Sequence, residues 1–359
     1  MSKIALEKLT EYLEKNAYDA IFIYKNENVR YISSYTGDDS YLLIDRKGRK
    51  FFITDPRYTE QAAVECSDYK IIEWRKQYGS VAKAVVGLSE ENGYKIVGYE
   101  ADVIVVSFYN EMLENASFEP VALKGVVEEL RSHKTKEEMG YSRAACDITC
   151  RAFERILEDI RVGITEKELA ARLSLYMVLE GADTQPYGNI LISGKRTSLL
   201  HGIPSSKAVE YGDLVLMDFG CQYNGYMSDM TRTVVVGQAS AKQKEVYALE
   251  QGMVQDVENF IKDGVKAKDA YGASLKAIEN TEYLPYHYTG IGHGVGLFVH
   301  ELPFMGPNSE DVIYKDNIMT VEPGIYIPGW GGIRIEDQIL VTETGNEILT
   351  WADKELIEL

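Results

Sequence analysis

Two helices followed by a β-hairpin is an arrangement that this chain carries twice in its last two thirds, with at least two acidic residues on each hairpin. In the first copy, Thr135 with Glu138 and Thr165 with Glu168 have the spacing of a capping box, in which each member satisfies a free backbone N–H of the first helical turn. They predict helices running to about Asp159 and about Glu180. The hairpin that follows reads LVLMDFGCQY-NG-YMSDMTRTVVV. In the second copy, helices over about Lys242 to Lys262 and Ala267 to Asn280 precede NIMTVEPGIYI-PGWGG-IRIEDQILV.

Asn224-Gly225 lies between two β-rich runs, and a type I′ turn favours that pair because both central positions need positive φ. Counting outward from Tyr223 and Tyr226 puts Asp218 opposite Thr231 and Asp229 opposite Gly220. Asp218 and Asp229 are then diagonal neighbours on one sheet face, about 7 to 8 Å apart, so their carboxylates can converge on ions held between them. Gly220, lacking a side chain, leaves room for those ions. In the second hairpin Glu322 stands on one strand and Arg334 and Glu336 on the other, the last two sharing a face by period-two alternation. A five-residue loop from Pro328 to Gly332 brings Glu322 to that face as well.

Four carboxylates on facing hairpins repel one another strongly, so they must be protonated, paired with cations or bound to metal. Any one of them alone reads as a solvated strand face; two matched pairs favour metal. Of five histidines, three lie near the hairpins: His201 in LLHGIPSS, and His293 and His300 in GIGHGVGLFVHE. Gly292, Gly294 and Gly296 permit close backbone approach around His293, and no strand-turn-helix phosphate site follows them. His293 is the best nitrogen ligand, whereas His133 and His287 read as non-catalytic.

A chain of 359 residues exceeds the size at which one core usually stops growing, which predicts two domains. The first third alternates helix and strand patterns: Leu6, Leu9 and Leu13 on one helix face, then DAIFIY, then YLLIDRKGRKFFITD around a Lys-Gly turn. The charged segment from Glu128 to Glu138 interrupts this α/β pattern, and the boundary is placed there, giving domains 1–127 and 128–359. A formal net charge of -18 repels phosphate backbones and anionic membranes, so nucleic acid and membrane surfaces are poor partners. No run of about 18 apolar residues predicts a membrane helix, and the charged N-terminal stretch is unlike a signal peptide. Cys66, Cys146, Cys150 and Cys221 are few and scattered, as in a reducing cytoplasm, and Cys146 and Cys150 read as helix packing.

LMDFGCQYNGYMSDMTRT, GHGVGLFVHELP, TVEPGIYIPGWGGIRIEDQILVT and LHG together resemble the metallopeptidases of the "pita-bread" fold, in particular the aminopeptidase P and prolidase branch. NVRYISSYTG, YLLID and ITDPRYTEQA resemble the small creatinase-like domain that precedes the catalytic domain in that branch. The resemblance covers nearly the whole chain and implies an α/β (α+β) protein: a creatinase-like α/β domain, then a pseudo-twofold catalytic domain. It implies Asp218, Asp229, His293, Glu322 and Glu336 as ligands of two divalent ions, with Asp229 and Glu336 bridging. It also implies that His201 and His300 contact substrate and stabilise the tetrahedral intermediate, and that Arg334 supports the acidic cluster or the substrate. Many relatives have a histidine where this chain has Thr289. A homodimer is a further implication.

Two such ions, roughly 3.5 to 4 Å apart, would lower the pKa of a water between them, and the hydroxide would attack the carbonyl before proline. Glu322 is the expected proton shuttle. Because proline lacks an N–H and has a fixed φ, a shaped pocket walled by aromatics such as Tyr187 or Phe298 would select it. The oxygen-rich donor set favours manganese, with cobalt or zinc as alternatives. The expected activity is that of an Xaa-Pro aminopeptidase acting on peptides with proline second. The rivals are a prolidase restricted to dipeptides, a metal-free creatinase, which the complete ligand set disfavours, and an inactive binding module of the same fold.

Overall fold

The computed structural model describes residues 2–184 and 188–359. The chain divides into two compact units, Met1–Arg131 and Ser132–Leu359. The boundary expected after residue 127 lies inside the helix Val126–Ser132.

The first unit is built on a six-stranded mixed sheet. The Lys-Gly turn closes an antiparallel pair, Ser40–Asp45 with Lys50–Thr54, and Gly48 there has φ +80°. Strand Ala20–Ile23 pairs with this hairpin on one side and, in parallel, with Ile96–Glu100 on the other. The N-terminal helix Ser2–Lys15 buries Leu9 and Leu13 completely, with Ala5, while Leu6 is only half-buried.

Both predicted capping boxes of the second unit are present, at Thr135/Glu138 opening Lys136–Leu157 and at Thr165/Glu168 opening Glu166–Leu179. A third, Ser240/Gln243, opens Ala241–Phe260. The next helix is shorter than expected. It ends at Ser274, and three-residue turns carry the chain on through Ile278 and Thr281. Each copy of the repeat has its own core. In the first, Ile148, Phe153, Leu169, Leu173 and Met177 pack on Val215, Met217 and Phe219 of the first hairpin. In the second, Val246, Met253, Val254 and Val257 pack on Met319, Val321, Ile325, Ile333 and Ile335 of the second hairpin.

Strand alternation then decides which side chains are left for the opposite faces. With Val215, Met217 and Phe219 committed to one core, Asp218 points the other way. With Met319, Val321, Ile325, Ile327, Ile333, Ile335 and Ile339 committed to the other core, Glu322, Tyr326, Arg334 and Glu336 share the remaining face.

Candidate metal centre

The first hairpin has the expected register. Tyr226 pairs with Tyr223, and Thr231 pairs with Asp218. Asn224 and Gly225 have φ of +49° and +85°, as a turn of that hand requires. The ladder opens between these two stretches, so Asp229 leaves the pairing and its N–H donates to Gln338 Oε1 at 2.9 Å.

The second hairpin differs. Gly331 and Gly332 pair with Ile327 and Tyr326, which shortens the loop from five residues to three, Pro328–Trp330. Two residues that had been assigned to the loop continue the strands, because Gly329, at φ +78°, already completes the reversal. The same register holds on both sides of the acidic pair, at Val321 with Asp337 and at Gly324 with Arg334. Glu322 therefore stands directly opposite Glu336, where Asp218 and Asp229 are diagonal. The hairpins repeat in pattern but not in register.

The two hairpins are stitched together where the acids lie. Glu336 N–H donates to Thr231 O at 3.0 Å, and Thr233 Oγ1 donates to Arg334 O at 2.9 Å. His293 arrives on the strand Gly292–Gly294, which lies between Glu301–Met305 and Ile318–Val321 in a five-stranded sheet. A Cβ on Gly292 would lie 2.3 Å from Thr320 O, and one on Gly294 would lie 2.1 Å from Leu302 O. Glycine is what lets this strand lie so close to its neighbours.

Asp229, His293 and Glu336 are all buried, and each offers a ligand atom within 4.8 Å of the other two. His293 Nδ1 is 3.0 Å from Gly294 O, an arrangement in which Nδ1–H donates and Nε2 is left as the ligand atom. Nε2 lies 3.1 Å from Glu322 Oε1 and 3.7 Å from Asp229 Oδ2. Asp218 Oδ2 accepts from Arg334 Nη2. Arg334 also donates from Nε to Thr231 Oγ1 at 3.0 Å and from Nη1 to the Tyr326 hydroxyl at 2.5 Å. His300 lies edge-on to His293, with ring centroids 4.4 Å apart.

A cavity of about 500 Å³ opens on this cluster, lined by Asp218, Asp229, His293, Glu322 and Arg334, with Ile190, Leu200, Ile203 and Val299 as apolar wall. A second, of about 530 Å³, leads away past Thr289, Phe304, Pro307, Asn308 and Ser309. His201, Tyr288, His293, His300 and Glu322 line both.

Residues 141–343 match the model of metallopeptidase family M24, and residues 6–133 match the creatinase/prolidase N-terminal domain. The chain belongs to metallopeptidase family M24. This M24 chain is 39% identical over 361 residues to the uncharacterized peptidase YqhT of Bacillus subtilis, with 99% of each covered. It is similar in structure to an Xaa-Pro dipeptidase from Bacillus anthracis, at TM-score 0.95, 38% identity and 100% of both chains. It is similar also to an X-Pro aminopeptidase from Thermotoga maritima, at TM-score 0.91, 31% identity and 99% of both chains. The fold is therefore a creatinase-type N-terminal domain with an M24 pita-bread domain. No helix among the described residues is long and apolar enough to cross a membrane.

Membership of M24 implies divalent metal ions, and the donor set of this peptidase fits them. Glu336 Oε2 accepts from Thr231 Oγ1 at 2.6 Å, while Oε1 is buried without a hydrogen-bond partner among the described residues. Burial, with the charges of Asp229, Glu322 and Asp218, pushes the Glu336 carboxyl well above the usual range. Burial alone would lower His293, but the Glu322 hydrogen bond and the Glu322 and Asp229 charges push it up to about 9. A cluster that holds protons this tightly calls for positive charge, which a divalent ion supplies.

Sequence reasoning overlooked several side chains of this site. Thr231 entered only as a register partner, yet its hydroxyl joins Glu336 to Arg334. Thr320 Oγ1 donates to Glu322 Oε1 at 3.1 Å and accepts from His293 N at 3.1 Å. Tyr326 was visible in principle, since alternation puts it on the face of Glu322. Of the two aromatic walls expected, Tyr187 lies outside the described residues. Phe298 lies edge-on to His300 and does not line either cavity; Tyr288, Tyr326 and Phe304 supply the aromatic wall.

Proposed function

We propose that this chain is a dinuclear metal-dependent Xaa-Pro aminopeptidase, cleaving the bond between an N-terminal residue and a following proline. The second cavity carries this reading. Among the described residues lining it there is no lysine or arginine, and the one arginine of the first cavity is engaged by Asp218. A strict dipeptidase has to meet the terminal carboxylate of its substrate, and a carboxylate left there without a cation is costly. An exit without lysine or arginine among its described lining residues supports a chain that continues beyond proline.

Asp218, Asp229, His293, Glu322 and Glu336 are the proposed ligands of two ions, manganese by preference for so oxygen-rich a set, with cobalt or zinc as alternatives. When bound, the ions would supply Lewis-acid polarisation and a water acidified towards neutrality. Glu322, partly exposed and beside His293, takes a proton from the attacking water and returns it to the leaving imide nitrogen. His201 and His300, on the wall shared by both cavities, orient the substrate carbonyl and donate to its developing negative charge, a contact worth ~3 to 4 kcal/mol when well placed. Arg334 holds Asp218 in place and stabilises its charge. Leu175, Val178 and Leu179, exposed on one helix face, support a homodimer, which sedimentation at several concentrations tests.

A second reading, an Xaa-Pro dipeptidase, is favoured by the likeness to the Bacillus anthracis enzyme. Incubation with Ala-Pro and Ala-Pro-Ala separates the two. Free alanine from the tripeptide is the expected result; cleavage of the dipeptide alone makes the chain a dipeptidase.

A further inference from the structure

His201 rides on a segment, residues 194–204, that leaves the strand Ile190–Ser193 and returns at Ser205 beside the start of the helix Glu166–Leu179. Leu200, His201, Gly202, Ile203 and Pro204 of this segment line the first cavity. Both of its ends meet one side chain. Glu166, the first residue of that helix, has a fully buried carboxylate. Its Oε1 accepts from Ser193 N at 2.8 Å and Ser193 Oγ at 3.1 Å. Its Oε2 accepts from Ser205 N at 2.8 Å and Ser205 Oγ at 2.7 Å. Arg196 Nε lies 3.1 and 3.2 Å from the two oxygens, and Arg196 Nη2 reaches on to Ile203 O at 2.7 Å.

Helix capping does not require this carboxylate, because the cap is provided by Thr165 and Glu168. Nor is the return strand held by Glu166 alone, since Glu166 N and Lys167 N donate to Lys207 O and Ser205 O. Burial by itself would raise the Glu166 carboxyl; donors from Ser205, Ser193 and Arg196 together outweigh it and hold the group ionised. A fully buried charge with donors on both oxygens is a rigid fixture, and it is spent on the two ends of a segment that presents a histidine.

We propose that Glu166 is a positioning residue for the peptidase reaction, clamping both ends of the 194–204 segment so that His201 meets the substrate in one geometry. The inference rests on the reading of His201 as a residue that contacts substrate. A misplacement of about 1 Å is enough to cost on the order of a hundredfold in rate. Exchanging the carboxylate for an amide replaces one acceptor oxygen by a donor and frees one end of the segment.

The test compares metal-loaded wild type, Glu166→Gln, His201→Ala and the double variant on Ala-Pro and Ala-Pro-Ala. Glu166→Gln is expected to lose about ten- to a hundredfold in kcat/KM in the wild-type background and less than about twofold in the His201→Ala background. Losses that multiply in the double variant overturn the proposal. Hydrogen exchange provides a readout independent of turnover: Glu166→Gln should speed exchange of the 194–204 amides at least about tenfold and leave Lys136–Leu157 unchanged. Unchanged exchange in 194–204 also overturns it. If His201→Ala alone leaves turnover intact, the substrate role of His201 fails and the clamp stands or falls on the exchange result. Should Glu166→Gln not fold, Ser205→Ala, which removes the hydroxyl bond at one end, is judged by the same two criteria with an expected loss of about two- to tenfold.

Discussion

Thr231 Oγ1 donates to Glu336 Oε2 at 2.6 Å and accepts from Arg334 Nε at 3.0 Å, so one hydroxyl joins the buried acid to the buried base of the candidate metal centre. Thr231→Val keeps the shape and removes the hydroxyl. Outer partners of metal ligands are commonly worth about 10- to 100-fold in affinity. Titration of the metal-free protein with Mn²⁺ should show a loss of that size, with the fold intact by circular dichroism. Equal affinity in the two proteins removes Thr231 from the site.

Metal affinity should rise with pH. His293, pushed up to about 9, carries a proton at neutral pH that a ligating Nε2 must lose, and the same crowding of acids raises the Glu336 carboxyl. Below about pH 9 each displaced proton lowers the apparent affinity about tenfold per pH unit. Between pH 6 and pH 8, calorimetry should therefore report proton release and an affinity gain of about a hundredfold. A pH-independent affinity would show that His293 binds no ion.

Gly292 has φ +155° and its Cβ position is 2.3 Å from Thr320 O, a backbone atom that cannot move alone. Gly292→Ala should push the His293 strand away from Ile318–Val321, lowering stability by about 1 to 3 kcal/mol and metal occupancy with it. Denaturant unfolding and metal analysis of one preparation measure both. Full occupancy in a destabilised protein would separate the strand from the centre.

Asp337 lies next to Glu336 in sequence and serves stability instead. Its carboxylate accepts from Arg232 Nη2 at 2.7 Å and from Lys354 Nζ at 2.6 Å, and Arg232 is itself only 1% exposed. Asp337→Asn leaves that guanidinium buried without its partner, at a cost of about 3 to 5 kcal/mol. Burial alone would raise the carboxyl, but the Arg232 and Lys354 charges hold it at about 2. Its folded pKa is thus depressed, so its contribution is fully present above the ordinary aspartate value and is lost as pH falls through about 2. Acid unfolding of the variant should lack this component; identical acid midpoints would refute it.

What could be read from the chain alone followed from local rules. Positive φ at Asn224 and Gly225 is a demand of the turn itself, and it carried the register outward to Asp218 and Thr231 without help from the rest of the molecule. The capping boxes at Thr135 and Thr165 are equally local. Period-two alternation correctly put Arg334 and Glu336 on one face. The second hairpin escaped because its PGWGG loop contains three glycines, and nothing local says which of them reverses the chain and which continue a strand. Tertiary structure decided that Glu322 and Glu336 stand opposite each other, that Thr231 serves both Glu336 and Arg334, and that Glu166 meets Ser193 and Ser205. The Thr231 and Glu166 contacts join residues 105, 103, 27 and 39 positions apart, and no periodicity connects side chains over such distances. They exist because two separately packed cores leave the same few strand faces to be filled, and a buried acid on such a face must find whatever donor the other elements bring.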